Sequence, residues 1–310
     1  MQQDHRATFA EDFIMEDALF CGYRRHVELL SGPRVLSSAR STGPKKGKRE
    51  AGAYRFLECP ECGFQFIHPY IEPGPAFDDY SWTREYTEHY DRYLAPVIAS
   101  LRVKVADVER IMGRRPASFL DVGCGNGLYL HAANVLGLEN LGTDVDRINI
   151  EFARGKGLNA LAAAIEDIEV AGRYDFVHLK AVLHLVPDPP RLLAKARDLL
   201  AEGGVMYVDV PNQGSLFTKL RILRERGSYG QLQLPLRRGA YDMRALRNIC
   251  EAAGLKVVRR VFPYPGDKAY YPLDNPRWHK ALFALFAKAG ISSMLGVYLV
   301  ADGKGRGDAA

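Results

Sequence analysis

The sequence predicts an α/β fold: a doubly wound, mostly parallel sheet plus a small N-terminal appendage. Three observations lead there. Short apolar runs alternate with helix-period stretches from residue 117 to residue 301. Carboxylates stand at the ends of several of those runs. The first run opens into glycines at alternate positions, Gly123, Gly125 and Gly127, just before a helical pattern begins at Leu128.

At 310 residues the chain can hold one α/β domain with a sizeable core and a smaller appendage. No apolar run is long enough to span a bilayer. The start, Met-Gln-Gln-Asp-His-Arg, lacks the basic-then-apolar layout of a signal peptide, so the cytoplasm is the expected compartment. Five cysteines, Cys21, Cys59, Cys62, Cys124 and Cys250, are too few and too scattered for a disulfide framework. A net charge of +5 permits an acidic or nucleic-acid partner without demanding one.

Residues 1–76 read as a zinc-ribbon-like segment with a basic loop. Ser31 to Gly52, rich in Gly, Ser, Lys and Arg, reads as a mobile linker, with Lys45, Lys46, Lys48 and Arg49 as the alternative phosphate-binding arm. A strand then runs from Tyr54 into Cys59-Pro-Glu-Cys62-Gly63, a turn that aims two thiolates at one point, as in half of a zinc ribbon. Zinc in a structural site wants four ligands. Phe20-Cys21-Gly22 resembles the end of a second knuckle whose first cysteine position holds Ala18, which leaves Cys21 as a third ligand and His26 or His68 as a fourth. The competing reading is a relic knuckle whose cysteines merely pack; a thioredoxin-like redox pair is disfavoured because no βαβ unit comes next.

Residues 77–116 read as a helical flap and lead-in. Tyr86, Tyr90 and Tyr93 recur at helical spacing, so they share a face. A helix over about 95–111 leads to the strand Ser118–Val122, which carries Asp121. In the turn after it, side chains would hold a ligand off the backbone, and such turns often need positive φ. The helix beyond offers unpaired N–H groups in its first turn. A dinucleotide site reads Gly-x-Gly-x-x-Gly and puts pyrophosphate on the helix N-terminus. Here the glycines alternate, and the carboxylate ahead of them suits a cationic amino-acid head instead.

Asp121-Val-Gly-Cys-Gly-Asn-Gly127 resembles motif I, Asp-x-Gly-x-Gly-x-Gly, of the class I S-adenosylmethionine-dependent methyltransferases. The resemblance implies a Rossmann-like fold over residues 117–310, a seven-stranded mostly parallel sheet with its last strand antiparallel, that binds S-adenosyl-L-methionine through Asp121, Gly123, Cys124, Gly125 and Gly127. It also implies that the Tyr-rich segment forms a flap over the cofactor, with Tyr86 and Tyr90 as contacts.

Downstream, Leu128, Ala132, Val135 and Leu136 form one apolar helix face. Asn140 to Asp144 is a second strand; Asp144 stands at the distance usual for an acid that takes both ribose hydroxyls, with Val145 beside it, while Asp146 reads as the cap of the next helix. A third strand around Leu158 to Ala163 ends in Glu166 and Asp167, of which the resemblance assigns Asp167 to the adenine amino group and keeps Glu166 as the alternate. Tyr174 to Lys180 is strand four. Ala181 to Asp188, directly after it, resembles the family's Val-Leu-x-His-Val-Pro-Asp, with the usual histidine replaced by Leu185 and His184 one place earlier. A helix over Pro189–Leu200 and a strand over Val205–Val210 lead to residues 211–241, read as an acceptor-side lid with a basic amphipathic stretch; packing on the domain is preferred to membrane contact. A helix (242–253), a strand (255–262), a helix (276–290) and a reversed final strand (294–301) complete the chain.

Methyl transfer to an amine or hydroxyl needs a base near the methyl. His184, Lys180 and Asp209 are the candidates, His184 and Lys180 foremost, with Lys180 also at the cofactor. His131 and His178 read as structural. A small-molecule acceptor is expected first. An RNA acceptor approached by the zinc module is the second reading, though strand four leads into no Asn-Pro-Pro-Tyr-type motif, and a non-catalytic cofactor-fold scaffold is the third.

Overall fold

The structure, a computed structural model, describes residues 34–40, 53–59, 62–68, 87–167, 169, 172–216, 218–219, 239–263, 285 and 292–303. Cys21, His26, Tyr86, the cluster Lys45–Arg49 and all but Leu285 of the helix expected over 276–290 lie outside these residues.

The described strands form two sheets. In the smaller, β1 (Arg34–Arg40), β2 (Ala53–Glu58), β3 (Gln65–His68) and β9 (Gly239–Ala240) lie in that order, all pairs antiparallel. β1 corrects an expectation: the composition of Arg34–Arg40 places it within a mobile linker, yet it pairs along its length with β2. A ladder partner far along the chain overrides weak local signal.

The larger sheet comprises β4 (Ser118–Val122), β5 (Glu139–Asp144), β6 (Ala160–Ala162), β7 (Tyr174–Lys180), β8 (Leu200–Pro211), β10 (Leu255–Val261) and β11 (Met294–Ala301). Their order is β10-β11-β8-β7-β4-β5-β6, with β11 antiparallel to both neighbours and the pairs from β8 to β6 parallel. Strand order reverses between β4 and β7. Such a switch point opens a crevice at the C-terminal strand ends, where ligands bind in open α/β sheets.

Five helices cover the sheet among the described residues: α1 (Tyr90–Met112), α2 (Leu128–Val135), α3 (Arg147–Gly155), α4 (Pro189–Asp198) and α5 (Met243–Ala252). α1 starts earlier than expected because Tyr90 and Tyr93 belong to its buried stripe, which continues through Val97, Leu101, Val105 and Val108. α2 corrects another expectation. Val135 is 54% exposed, while Tyr129, Leu130 and Ala133 join Leu128 and Ala132 inside, so the buried face is rotated from the expected one. Asp146 caps α3 as expected, accepting from the N–H groups of Ile148 (2.9 Å) and Asn149 (3.2 Å). Asp188 and Asp242 cap α4 and α5 in the same manner.

Alternation along the strands gives the sheet two different faces. One carries Leu120, Val122, Val177, Leu179, Met206, Val208, Leu295 and Val297 under α4 and α5, in a cluster that also takes Cys59, Cys62, Phe64 and Phe66 from the smaller sheet. The other carries Phe119, Phe176, Val205, Tyr207 and Tyr298 under α1, α2 and α3. No helix among the described residues is long and apolar enough to cross a membrane.

Candidate active site

The turn after β4 is closed onto β5: the N–H groups of Gly123 and Cys124 both donate to the Thr143 carbonyl, at 2.7 and 3.0 Å. Gly123 has φ +75°, and a Cβ there would lie 2.2 Å from Val182 Cγ2, so any side chain would force Val182 out of its seat. A Cβ on Gly125 would meet nothing within 4 Å. The loop is therefore tight where it touches the protein and open on its outer side, where a ligand can approach the backbone.

Asp144, at the end of β5, is half-buried. Its Oδ2 accepts from Gly125 N–H at 2.8 Å and its Oδ1 from Asp146 N–H at 2.9 Å. Each carboxylate oxygen keeps a further lone pair. Burial raises its pKa above the ordinary value, more than these two donors lower it. Val145 next to it is 72% exposed, an apolar side chain left at the crevice rim.

Asp121 is 2% exposed. It opens a polar row that crosses the sheet on the α1/α2 side, because register places Asp121 opposite His178, His178 opposite Tyr207 and Tyr207 opposite Tyr298. His178 Nδ1 lies 2.8 Å from Asp121 Oδ1. Lys104 of α1 is buried over the same row, its ammonium 2.9 Å from Ser100 Oγ and 5.1 Å from the centres of the Tyr129 and Tyr207 rings.

At the end of β7, Lys180 is half-buried with its ammonium 5.6 Å from the Tyr129 ring centre. Ala181 comes next at φ +58°, a conformation that costs a non-glycine residue about 1 kcal/mol or more. Asp209 holds it there, its Oδ1 accepting from Ala181 N–H at 2.8 Å while Oδ2 accepts from Tyr207 Oη at 3.1 Å. That pinned turn seats Val182 against Gly123. Asp209 is 1% exposed and bonded through both oxygens. His184 is 4% exposed, and its carbonyl accepts from Gly239 N–H at 3.3 Å, tying this turn to β9.

After β6, a 3₁₀ turn carries Glu166 half-buried and Asp167 exposed. Asp167 pairs with Arg191 of α4 at 3.1 Å. Burial raises the Glu166 pKa, with a smaller push from Asp167. Of the aromatic flap, Tyr90 is placed and Tyr86 is not described: the Tyr90 hydroxyl lies 3.5 Å from the Gly127 carbonyl and 3.3 Å from His131 Nδ1. Burial pushes its pKa up to about 12. His131 thus has the structural partner expected of it.

The structure therefore brings Asp121, Cys124, Gly125 and Asp144 together, sets Lys180 on the same side of the sheet, and turns Asp167 outward. His178 and Tyr207 share a row with Asp121 that only strand register reveals, and Lys104 reaches it from α1, so the sequence does not announce the three as neighbours. Cys59 and Cys62 are buried in a turn closed by Gly63 N–H to the Cys59 carbonyl at 2.9 Å. Among the described residues no three His, Cys, Asp or Glu side chains gather as a metal site.

Comparison with known proteins gives the family. A family described as "Methyltransferase domain" matches residues 86–260, more than half of the chain. The ubiquinone biosynthesis O-methyltransferase of Bordetella avium is 32% identical over 111 residues, 33% of this chain and 45% of that protein. The trans-aconitate 2-methyltransferase of Deinococcus radiodurans is 32% identical over 120 residues, 34% of this chain and 42% of that one. The matches thus span under half the length of these relatives. The plantazolicin methyltransferase BamL, crystallised with a triazolic desmethylPZN analog and SAH, shares the fold at a TM-score of 0.52 and 16% identity, over 74% of this chain and 92% of that one.

Proposed function

Because the chain belongs to the methyltransferase-domain family, we propose that it transfers a methyl group from S-adenosyl-L-methionine to a small-molecule acceptor. The observation that carries this reading is the convergence of Asp121, the open side of Gly125 and the half-buried Asp144 at the C-terminal ends of β4 and β5. A nucleoside with a cationic amino-acid tail fits that set, whereas a pyrophosphate would face two carboxylates.

The residues divide the work by chemistry. Asp144 accepts from the two ribose hydroxyls, using lone pairs that its backbone donors leave over. Val145 offers an apolar surface to the base, and Glu166 or Asp167 an acceptor to its amino group. Gly125 lets the ligand reach the backbone, and Gly123, Cys124 and Gly127 form the tight turn that presents it. Asn126 adds a buried side-chain N–H group that lacks an acceptor. Asp121 faces the ammonium, and the Tyr-rich flap segment, with Tyr86 and Tyr90 as contacts, would lie over the cofactor.

The donor supplies an electrophilic methyl on a sulfonium, which the acceptor's oxygen, nitrogen or carbon attacks in line as the thioether leaves. Alignment is then the protein's main contribution. An oxygen or nitrogen acceptor must also lose a proton. Lys180 stands on the cleft face and His184 is buried, so Lys180 is the proton acceptor to test first. Residues 211–241 would shape the acceptor side. Residues 1–76 would form the zinc-bearing segment, with Cys59 and Cys62 supplying two ligands and Cys21 and His26 the others; zinc content per chain tests that assignment.

Calorimetric titration with S-adenosylhomocysteine and with NAD tests the donor site. Tight binding of the first and none of the second is expected, and the reverse would overturn the reading. Labelled methyl transfer into a metabolite extract, set beside transfer into bulk RNA, tests the acceptor class.

A further inference from the structure

The polar row beneath α1 holds a group that the roles above do not use. His178 has no accessible surface. Its Nδ1 meets Asp121 Oδ1, and its Nε2 has no hydrogen-bond partner among the described residues. Aromatic rings enclose it: Tyr207 stacks at 5.5 Å and 14°, Tyr129 lies at 4.7 Å, and Phe119 and Phe176 lie at 5.6 and 5.8 Å.

This environment fixes the proton. A carboxylate only accepts, so Nδ1 carries the hydrogen. A second proton on Nε2 would bury a charged donor with no acceptor. Burial accordingly holds the His178 pKa below its ordinary value, and the Lys104 ammonium acts in the same direction against the opposing pull of Asp121 and Asp209. The imidazole is thus a neutral single donor.

Asp121 needs such a donor. Its terminal torsion is soft, and among the described residues His178 alone bonds to its carboxylate. A lysine or arginine in that place would also orient the carboxylate, but it would cancel the charge that a ligand's ammonium must find. A neutral N–H group orients it and leaves the charge intact.

We infer that His178 is a positioning residue, which turns the Asp121 carboxylate toward the ammonium of an amino-acid-bearing nucleoside and so sets the preference for that end of the ligand. The inference rests on the donor site proposed above. It predicts an effect on the amino-acid end alone, whereas a purely structural histidine would affect the whole site.

The test compares two probes by calorimetry, S-adenosylhomocysteine, which carries the amino-acid end, and 5′-methylthioadenosine, which lacks it. In His178→Leu, binding of the first should weaken about tenfold while binding of the second holds. His178→Asn, whose amide nitrogen falls near the place of Nδ1, should restore the native ratio; His178→Gln, whose amide falls near Nε2, should not. Should the leucine variant fail to fold, the Asn/Gln pair carries the comparison, and ¹⁵N NMR of the wild-type chain must show the proton on Nδ1. Equal loss of both probes in a folded variant, an unchanged ratio in His178→Gln, or a proton on Nε2 would each overturn the inference. If the wild-type chain binds neither probe, the donor site itself falls and this inference with it.

Discussion

The two faces of the large sheet are made by the same strands and obey different rules. Under α4 and α5 the strands from β10 to β5 contribute aliphatic side chains, Val177 and Leu179 from β7 and Met206 and Val208 from β8 among them. Under α1 and α2 the same strands contribute Asp121, His178, Tyr207 and Asp209, all buried and several joined to one another. Buried polar groups cost stability unless satisfied, so this second face forgoes part of what an apolar core would give. It keeps the charge and hydrogen-bond donors that a ligand at the strand ends needs. Both faces pack a core, and the second carries a polar row through it as well.

The sharpest break of this comparison comes from the aliphatic side. Leu179→Ala should destabilise the fold by about 2–5 kcal/mol, read by urea unfolding, while the affinity of the folded fraction for S-adenosylhomocysteine stays native. A loss of affinity there would show that the faces are not separable.

Asp144→Ala should do the opposite. Removing two hydroxyl bonds to a charged acceptor should weaken S-adenosylhomocysteine about a hundredfold with a smaller change in stability. Its raised pKa adds a pH signature. Only the ionised carboxylate accepts through both oxygens, so affinity should fall as pH drops through a value above the ordinary aspartate pKa, and Asp144→Asn should lose that dependence. Titration calorimetry at several pH values reads both.

A smaller effect separates the cap from the cleft. Asp146→Ala should cost about 0.5–2 kcal/mol through the start of α3, measured by thermal unfolding, while ligand affinity changes little.

The smallest lies at the far end of β7. The Arg114 guanidinium grips both oxygens of Asp175, at 2.6 and 3.0 Å, and holds its carboxyl below the usual range. A depressed carboxylate contributes stability above its unfolded pKa, and that contribution is lost as pH falls through the folded value. Wild type and Arg114→Met should therefore differ at neutral pH and converge in acid, as acid unfolding curves will show.

Local chemistry made much of this legible. The alternating glycines after Asp121, the carboxylates closing β5 and the helix caps are short-range signals, and Asp146 serves as a cap as its position implies. The opposition of His178 to Asp121 depends on strand order, which no local pattern encodes, so a histidine in mid-strand reads as mere filling. Ala181 gives no sign of its left-handed backbone, because Asp209 imposes it from a neighbouring strand. Arg34–Arg40 looks like linker for the same reason. Asp167 pairs at the surface with Arg191, a partner that α4 supplies and no local pattern names.

The bridge between Asn212 and Tyr241, reinforced by Gln213 N–H to the Tyr241 carbonyl at 2.8 Å, clasps the two ends of the stretch between them. Closing a loop costs only logarithmically more as it lengthens. A change in the number of residues between 219 and 239 should consequently cost little in closure entropy and leave β8 and β9 where they stand.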